Sequence, residues 1–318
     1  MAHEVVAEVW RGGVVESVHH GSVIALDATG GTAFSVGQPD RLTFPRSSIK
    51  PVQALAMLRA GLDLDGELLA LACASHSGED FHVEGVRRIL AGAGLTETQL
   101  QCTADRPIGP RAHDAHIAAG LAPSPLYMNC SGKHAAMLAT CVHNGWPVDT
   151  YRDPAHPLQQ AVAATIAELA GEPIAATTVD GCGAPLFGIS LTGLARAFRA
   201  LATAPADQPE HRIGTAMSTH PDWVGGTGRD VTALMRLVPG AVAKDGAEGV
   251  YAIALPDRRA VAVKIGDGSG RARAVVLVAA LRRLGVEDDL TSLAEVPVLG
   301  HGEPVGAVRA ADLVTTAS

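Results

Sequence analysis

Aromatic residues are scarce in this chain. They make up 3% of its 318 residues, so Ala, Val and Leu must build most of any core. Cysteine is sparse as well. The five cysteines, Cys73, Cys102, Cys130, Cys141 and Cys182, are too few and too irregular for a disulfide scaffold. An odd count without an export signal points to reduced thiols and a cytoplasmic chain. The start, "MAHEVVAEVWRGG", lacks the charged segment and apolar run of a signal peptide. No stretch approaches about eighteen consecutive apolar residues, so no transmembrane helix is expected. Basic residues do not dominate. Lys and Arg number 25 against 33 Asp and Glu, and no basic stretch stands out, which argues against a nucleic-acid partner. No Gly-rich dinucleotide loop or Walker loop is present. The thirteen histidines are scattered, and each alone reads most simply as a surface or core residue.

What is present is a globular composition, 47% apolar and 18% charged, in a length that allows one large domain or two small ones. Residues 4–36 are rich in β-branched side chains broken by Gly12-Gly13 and His20-Gly21, and read as a meander of strands. From Ser47 the period changes. Val52, Leu55 and Leu58, with a stop at Gly61, mark a helix. Helices are then expected over 80–93, 133–144, 156–170, 186–203, 209–219 and 228–237. Near 248 the β pattern returns as an apparent hairpin through Pro256-Asp257. A helix over 272–284 and a last strand or short hairpin follow. The expectation is one α+β domain over 1–318. Strands in 4–36 and 248–308 share an antiparallel sheet, and a helical region over 47–240 packs on it.

Several stretches could carry chemistry. In "RSSIKP", Ser47 and Lys50 are three apart, a spacing that puts both on one face at a helix start, whereas Ser48 diverges. Pro51 fits the first turn and fixes the helix start nearby. A serine there sits in positive potential, which favours a developing alkoxide. The plain alternative is an N-cap beside a solvated lysine. In "CASHSGED", Ser75 and Ser77 could face a cleft, or Ser77 could cap the next helix with Asp80. "NCSGKHAAML" places Cys130, Lys133 and His134 at another helix start. "DGCGAP" sets Cys182 between glycines, two residues after Asp180. These two cysteines could bind a soft metal or be buried thiols. Lys264 ends an apolar strand in "AVAVKIGDG". "GGTGRD" holds Gly226 and Thr227 in a turn that could face a ligand.

Taken together, "RSSIKPVQ", "CASHSGE", "NCSGKHAAML", "DGCGAP", "GTGRD" and "EGVYAI…AVAVKIGDG", in this order and spacing, resemble the Rhizobium etli-type, thermolabile L-asparaginases of the asparaginase II family. The resemblance covers nearly the whole chain. It implies a fold like serine β-lactamases and penicillin-binding-type glutaminases, and hydrolysis of the asparagine side-chain amide to aspartate and ammonia. By motif, Ser47 would be the nucleophile and Lys50 its base. Lys264 would pair with a serine of "ASHSGE", Ser77 in preference to Ser75. Cys130, Lys133 and Cys182 would hold zinc. Asp180 would meet the substrate ammonium, and Arg46 or His134 its carboxylate. A homodimer is also implied. The segment 101–114, with Cys102, departs from the expected pattern. Two rival readings are a serine amidohydrolase acting on glutamine or another amide, and a non-catalytic metal- or amino-acid-binding protein. Intact Ser47, Lys50 and Lys264 argue against the second, since a sensor has no need of all three.

Overall fold

The computed structural model describes residues 4–315. Its main sheet joins both chain ends. The N-terminal strands are β1 (Glu4–Arg11), β2 (Val14–Leu26) and β3 (Thr32–Val36). A short β4 (Leu42–Thr43) leads to the first helix, and a hairpin of β5 (Ala176–Val179) and β6 (Pro185–Ser190) lies mid-chain. The C-terminal strands are β7 (Val242–Asp245), β8 (Val250–Ala254), β9 (Ala260–Ile265), β10 (Val296–Gly300) and β11 (Glu303–Ala310). The main sheet runs β10-β11-β1-β2-β9-β8-β7, and β3 pairs with the second half of β2. Every pairing in it is antiparallel. The 13-residue length of β2 allows this, because its first half pairs with β1 and its second half with β9.

Among the longer helices, α1 (Lys50–Arg59), α2 (Gly66–Ala72), α3 (Asp80–Gly92), α4 (Pro110–Ala118), α5 (Ser131–Asn144) and α6 (Pro157–Ala170) form the helical middle. They are followed by α7 (Leu191–Thr203), α8 (Pro209–Thr219), the single turn α9 (Pro221–Val224), α10 (Asp230–Leu237) and α11 (Arg273–Arg283). Strand β8 is buried along its whole length, which requires cover on both sheet faces, and α7 and α11 both pack against it. With few rings available, small and branched side chains fill the space. Ala252, Ala254, Ala260 and Ala262 alternate with Ile253, Val261 and Val263, all fully buried.

The α+β expectation holds, with strands from both chain ends in one sheet. Two details differ. The helix expected over 186–203 is split. Its first residues form β6, which pairs with β5 and β4, and Ser190 then caps α7 by accepting from the Gly193 amide. Apolar Leu186, Phe187 and Ile189 suit a buried strand as well as a helix, and only the partner strands decide. The C-terminal β region also begins earlier than 248, at Val242, with consequences for the site.

Candidate active site

Pro45 and Arg46 turn the chain into a tight 3-10 stretch, Arg46–Ile49, that runs straight into α1. Arg46 has φ +51°, an unusual conformation for a residue with a side chain. In a 3-10 turn residues i and i+3 eclipse, so Ser47 and Lys50 share a face more closely than α-helical spacing requires. Ser47 is partly exposed, and no hydrogen bond of its Oγ is found among the described residues. Ser48 points the other way. It is fully buried, its Oγ has no partner among the described residues, and a Cβ at Gly246 would lie 2.9 Å from that oxygen.

Lys50 is 1% exposed. Its Nζ donates to the Ala74 carbonyl at 2.6 Å and to Ser75 Oγ at 2.9 Å. These two contacts fix the amine against the loop that follows α2. Of the two serines on this loop, Ser75 is the one that meets a lysine, and that lysine is Lys50, whereas Ser77 was expected to pair with Lys264. Ser77 Oγ instead donates to the Gly225 carbonyl at 2.9 Å. A Cβ at Gly226, where φ is +115°, would fall 2.3 Å from that same Oγ. Ser77 thus locks one loop against another. Thr227 does the same, donating through its amide and hydroxyl to the Glu79 carboxylate at 2.8 and 2.7 Å. Gly226 and Thr227 thus shape the wall behind Ser75. Between the serines, the His76 amide donates to the Asn129 carbonyl. His76 Nδ1 accepts from the Gly78 amide, so its Nε2–H donates to Ser131 Oγ at 2.8 Å. Burial first, then the neighbouring His82, holds this ring neutral. His76 therefore ties the Ser75 loop to the Cys130 loop.

Lys264 is not brought to either serine. Its ammonium donates to the Glu248 and Ile265 carbonyls, beside Arg46 in a cavity of about 450 Å³ lined also by Gln38, Phe44 and Leu186. A second buried lysine near Lys50 is Lys244. It lies on β7, the edge strand that packs against the 3-10 turn, and it is fully buried. Lys244 and Lys50 are near enough that each charge acts on the other and both act on the Cys73 thiol. Burial, opposed by Asp245 and helped by Lys50, lowers the Lys244 pKa to about 8.

Cys130, Lys133 and Cys182 do come together. Lys133 Nζ donates to Cys182 Sγ at 3.2 Å, and Cys130 Sγ donates to Asn129 Oδ1 at 3.1 Å. The neighbouring Cys130 sulfur, then Lys133 and His134, hold Cys182 well below the usual thiol range, while Cys182 and burial drive Cys130 up. Cys182 is therefore the thiolate of the pair and Cys130 the thiol. Burial alone would lower the Lys133 pKa, but the neighbouring sulfurs outweigh it and raise it. His134 is buried behind them and does not reach a substrate carboxylate. Tyr151 accepts from the Gln101 amide, so its hydroxyl donates to His134 Nδ1 at 2.7 Å. That leaves Nε2–H facing the cluster with no hydrogen-bond partner among the described residues. Burial lowers the His134 pKa to about 4 against the pull of Cys182, so the ring is neutral. The divergent segment 101–114 thus buttresses the cluster through Gln101. Cys102 is inert, its pKa pushed up to about 12 by burial.

The β5–β6 turn, Asp180 to Ala184, carries Cys182, and β4 pairs with β6 just before Arg46. This small sheet brings Asp180 to Arg46, whose Nε donates to Asp180 Oδ1 at 2.8 Å. The ion pair joins the serine turn to the cysteine cluster.

The sequence pattern of the L-asparaginase II family matches residues 7–310, nearly the whole chain. The protein belongs to the L-asparaginase II family. No curated protein matches it. Among solved structures, the chain is similar to a β-lactamase from Mycobacterium bovis at 14% identity and a TM-score of 0.45, covering 84% of this chain and 95% of that one. It is also similar to EstCE1, a hydrolase with promiscuous acyltransferase activity, at 13% identity and a TM-score of 0.40, covering 77% and 88%. These likenesses are loose, and the fold described above rests on strand order.

Within this asparaginase II chain, Lys244, Asp245, Arg229 and His76 are buried or part-buried polar residues around the Lys50–Ser75 contact that sequence reading did not single out. Lys244 fell just outside the expected β region. The signal was there, because "VAKD" precedes the hairpin as an apolar pair ending in a charge. Its burial depends on the 3-10 turn from the far side of the sequence.

Proposed function

We propose that this asparaginase-type amidohydrolase cleaves the side-chain amide of L-asparagine through a serine–lysine acyl-enzyme mechanism. The observation that carries this reading is the Lys50 amine, buried and fixed by two hydrogen bonds, on the same turn as a free Ser47 hydroxyl. Ser47 Oγ attacks the amide carbon and Lys50 accepts its proton. The proton passes through Ser75 Oγ to the departing nitrogen, the C–N bond breaks, and ammonia leaves an aspartyl ester. Water then cleaves the ester, and the proton returns to Ser47. The first amides of the 3-10 turn face the oxyanion. Lys244 takes the role that the family resemblance assigned to Lys264, as the second lysine of the network. The Arg46–Asp180 pair is complementary to the α-carboxylate and α-ammonium of an amino acid. The assay is ammonia release from asparagine against glutamine and other amides. Turnover of asparagine at least about tenfold above glutamine, a difference of about 1.4 kcal/mol in transition-state binding, supports the reading. No release from any amide overturns it and favours a binding protein.

We also propose zinc at Cys130, Lys133 and Cys182, in a cytoplasmic homodimer. The donor set fits. One sulfur is already a thiolate beside the buried Lys133, and a zinc ion would displace the Cys130 thiol proton and one Lys133 ammonium proton with its own charge. When bound, the ion supplies a fixed positive charge that orients the substrate. His134, held by Tyr151, stays behind the ligands. Metal analysis of purified protein is expected to give about one zinc per chain, and Cys130→Ser and Cys182→Ser to lose it. Stoichiometric zinc in both variants would rule this site out.

A further inference from the structure

Asp245 follows Lys244 on β7 and is buried beside it. Its two oxygens have separate duties. Oδ1 accepts from Lys244 Nζ at 2.6 Å, and Oδ2 lies 2.8 Å from Arg229 and 2.9 Å from Arg273. Arg229 also donates to the Ser75 carbonyl at 3.4 Å, on the loop that holds the Lys50 partner. Arg273 also donates to the Gly246 carbonyl, contacts Asp230 at 3.3 Å and lies over the Tyr251 ring. One carboxylate thus faces three cations gathered from a strand, a loop and a helix.

We propose that Asp245, clamped by Arg229 and Arg273, is a positioning residue. It aims the Lys244 amine at the serine–lysine cluster while sharing its charge with the two guanidinium groups. The proposal rests on the reading of Lys244 as a member of that cluster.

Lys244 donates to both the Asp245 side chain and the Asp245 backbone carbonyl, so one residue fixes its direction. A carboxylate devoted to one buried ammonium would keep it charged and useless as a base. Two further cations on the other oxygen weaken that hold. Lys244 is met by Asp245 on its own strand, Lys50 from α1, Cys73 from the end of α2 and Arg229 ahead of α10. Behind Asp245 stand Arg273 on α11, Asp230 on α10 and Tyr251 on β8. Apart from Asp245 and Asp230, the charged groups in this set are positive. Burial would raise the Asp245 pKa, but Lys244, Arg229 and Arg273 outweigh it and keep the carboxyl ionised. The low Lys244 pKa agrees with this division of charge.

The test is the pH profile of kcat/KM for asparagine in wild type, Asp245→Asn, Arg273→Gln, Arg273→Lys and Lys244→Met. The acid limb is assigned to Lys244, whose pKa is lowered to about 8. Asp245→Asn removes the carboxylate that touches Lys244, so the limb is expected to move down by about one pH unit. Arg273→Gln returns Asp245 to Lys244, so the limb is expected to move up by about one unit, and Arg273→Lys to restore it. Opposite shifts cannot come from loosened packing alone. Should Asp245→Asn fail to fold, the Arg273→Gln shift and its rescue still decide. An unmoved limb, or shifts of one sign, with Lys244→Met impaired, overturns the role of Asp245 alone. A fully active Lys244→Met overturns the reading of Lys244 itself.

Discussion

Ser47→Ala is expected to lower ammonia release from asparagine by about 10⁴-fold or more, because removing a nucleophile removes the covalent route. Ser48→Ala is the control one residue away. Its hydroxyl is fully buried with no partner among the described residues, so its loss removes a desolvated group and no contact. Ser48→Ala is expected to keep activity within about two-fold and to be neutral or about 1 kcal/mol stabilising. Ammonia release and urea unfolding of the two variants check both statements. An active Ser47→Ala sinks the nucleophile assignment. An inactive but folded Ser48→Ala points to the wrong serine. The physical reason for the contrast is the 3-10 turn. Three residues per turn stack Ser47 over Lys50 and send Ser48 into the sheet, where Gly246 leaves just enough room.

Local features of this region could be read from sequence. The spacing of Ser47 and Lys50, the place of Pro51 and the apolar period of α1 are properties of neighbouring residues, and the structure has them. So are the β-rich ends, which meet in one sheet. Contacts distant in sequence were legible only through the family resemblance. Cys130 and Cys182 are 52 positions apart, and only the β5–β6 hairpin brings them together. The choice between Ser75 and Ser77 failed for a local reason. Both sit on one irregular loop, and what separates them is a carbonyl 148 positions away at Gly225. Lys264 and Lys244 show the same limit from another side. Each lies on a strand near an acidic residue and a glycine. Only packing of the edge strand against the 3-10 turn buries one and leaves the other at a cavity mouth. His134 could not be placed from sequence either, because a helix start says nothing about whether a tyrosine will close over the ring.

Lys50→Met is expected to lower kcat/KM by about 10³-fold, the usual worth of a positioned base, with the fold kept because methionine fills a similar buried volume. The pH dependence gives the sign. Lys244 must lose its proton to take part in the relay, so wild-type activity rises with pH through the Lys244 limb and reaches a plateau above it. Lys50→Met leaves Lys244, whose pKa of about 8 includes the influence of the Lys50 charge. Burial and the nearby Lys50 charge both depress the Lys244 pKa, so losing Lys50 raises it and moves the residual limb to higher pH. The double variant Lys50→Met, Lys244→Met separates two accounts of the pair. If the lysines act as one relay, the double variant is barely worse than Lys50→Met, since groups that act as a unit are not additive. Losses that multiply would mean two independent proton routes, and the link from Lys50 through Ser75 to Arg229 and Asp245 would then be structural only.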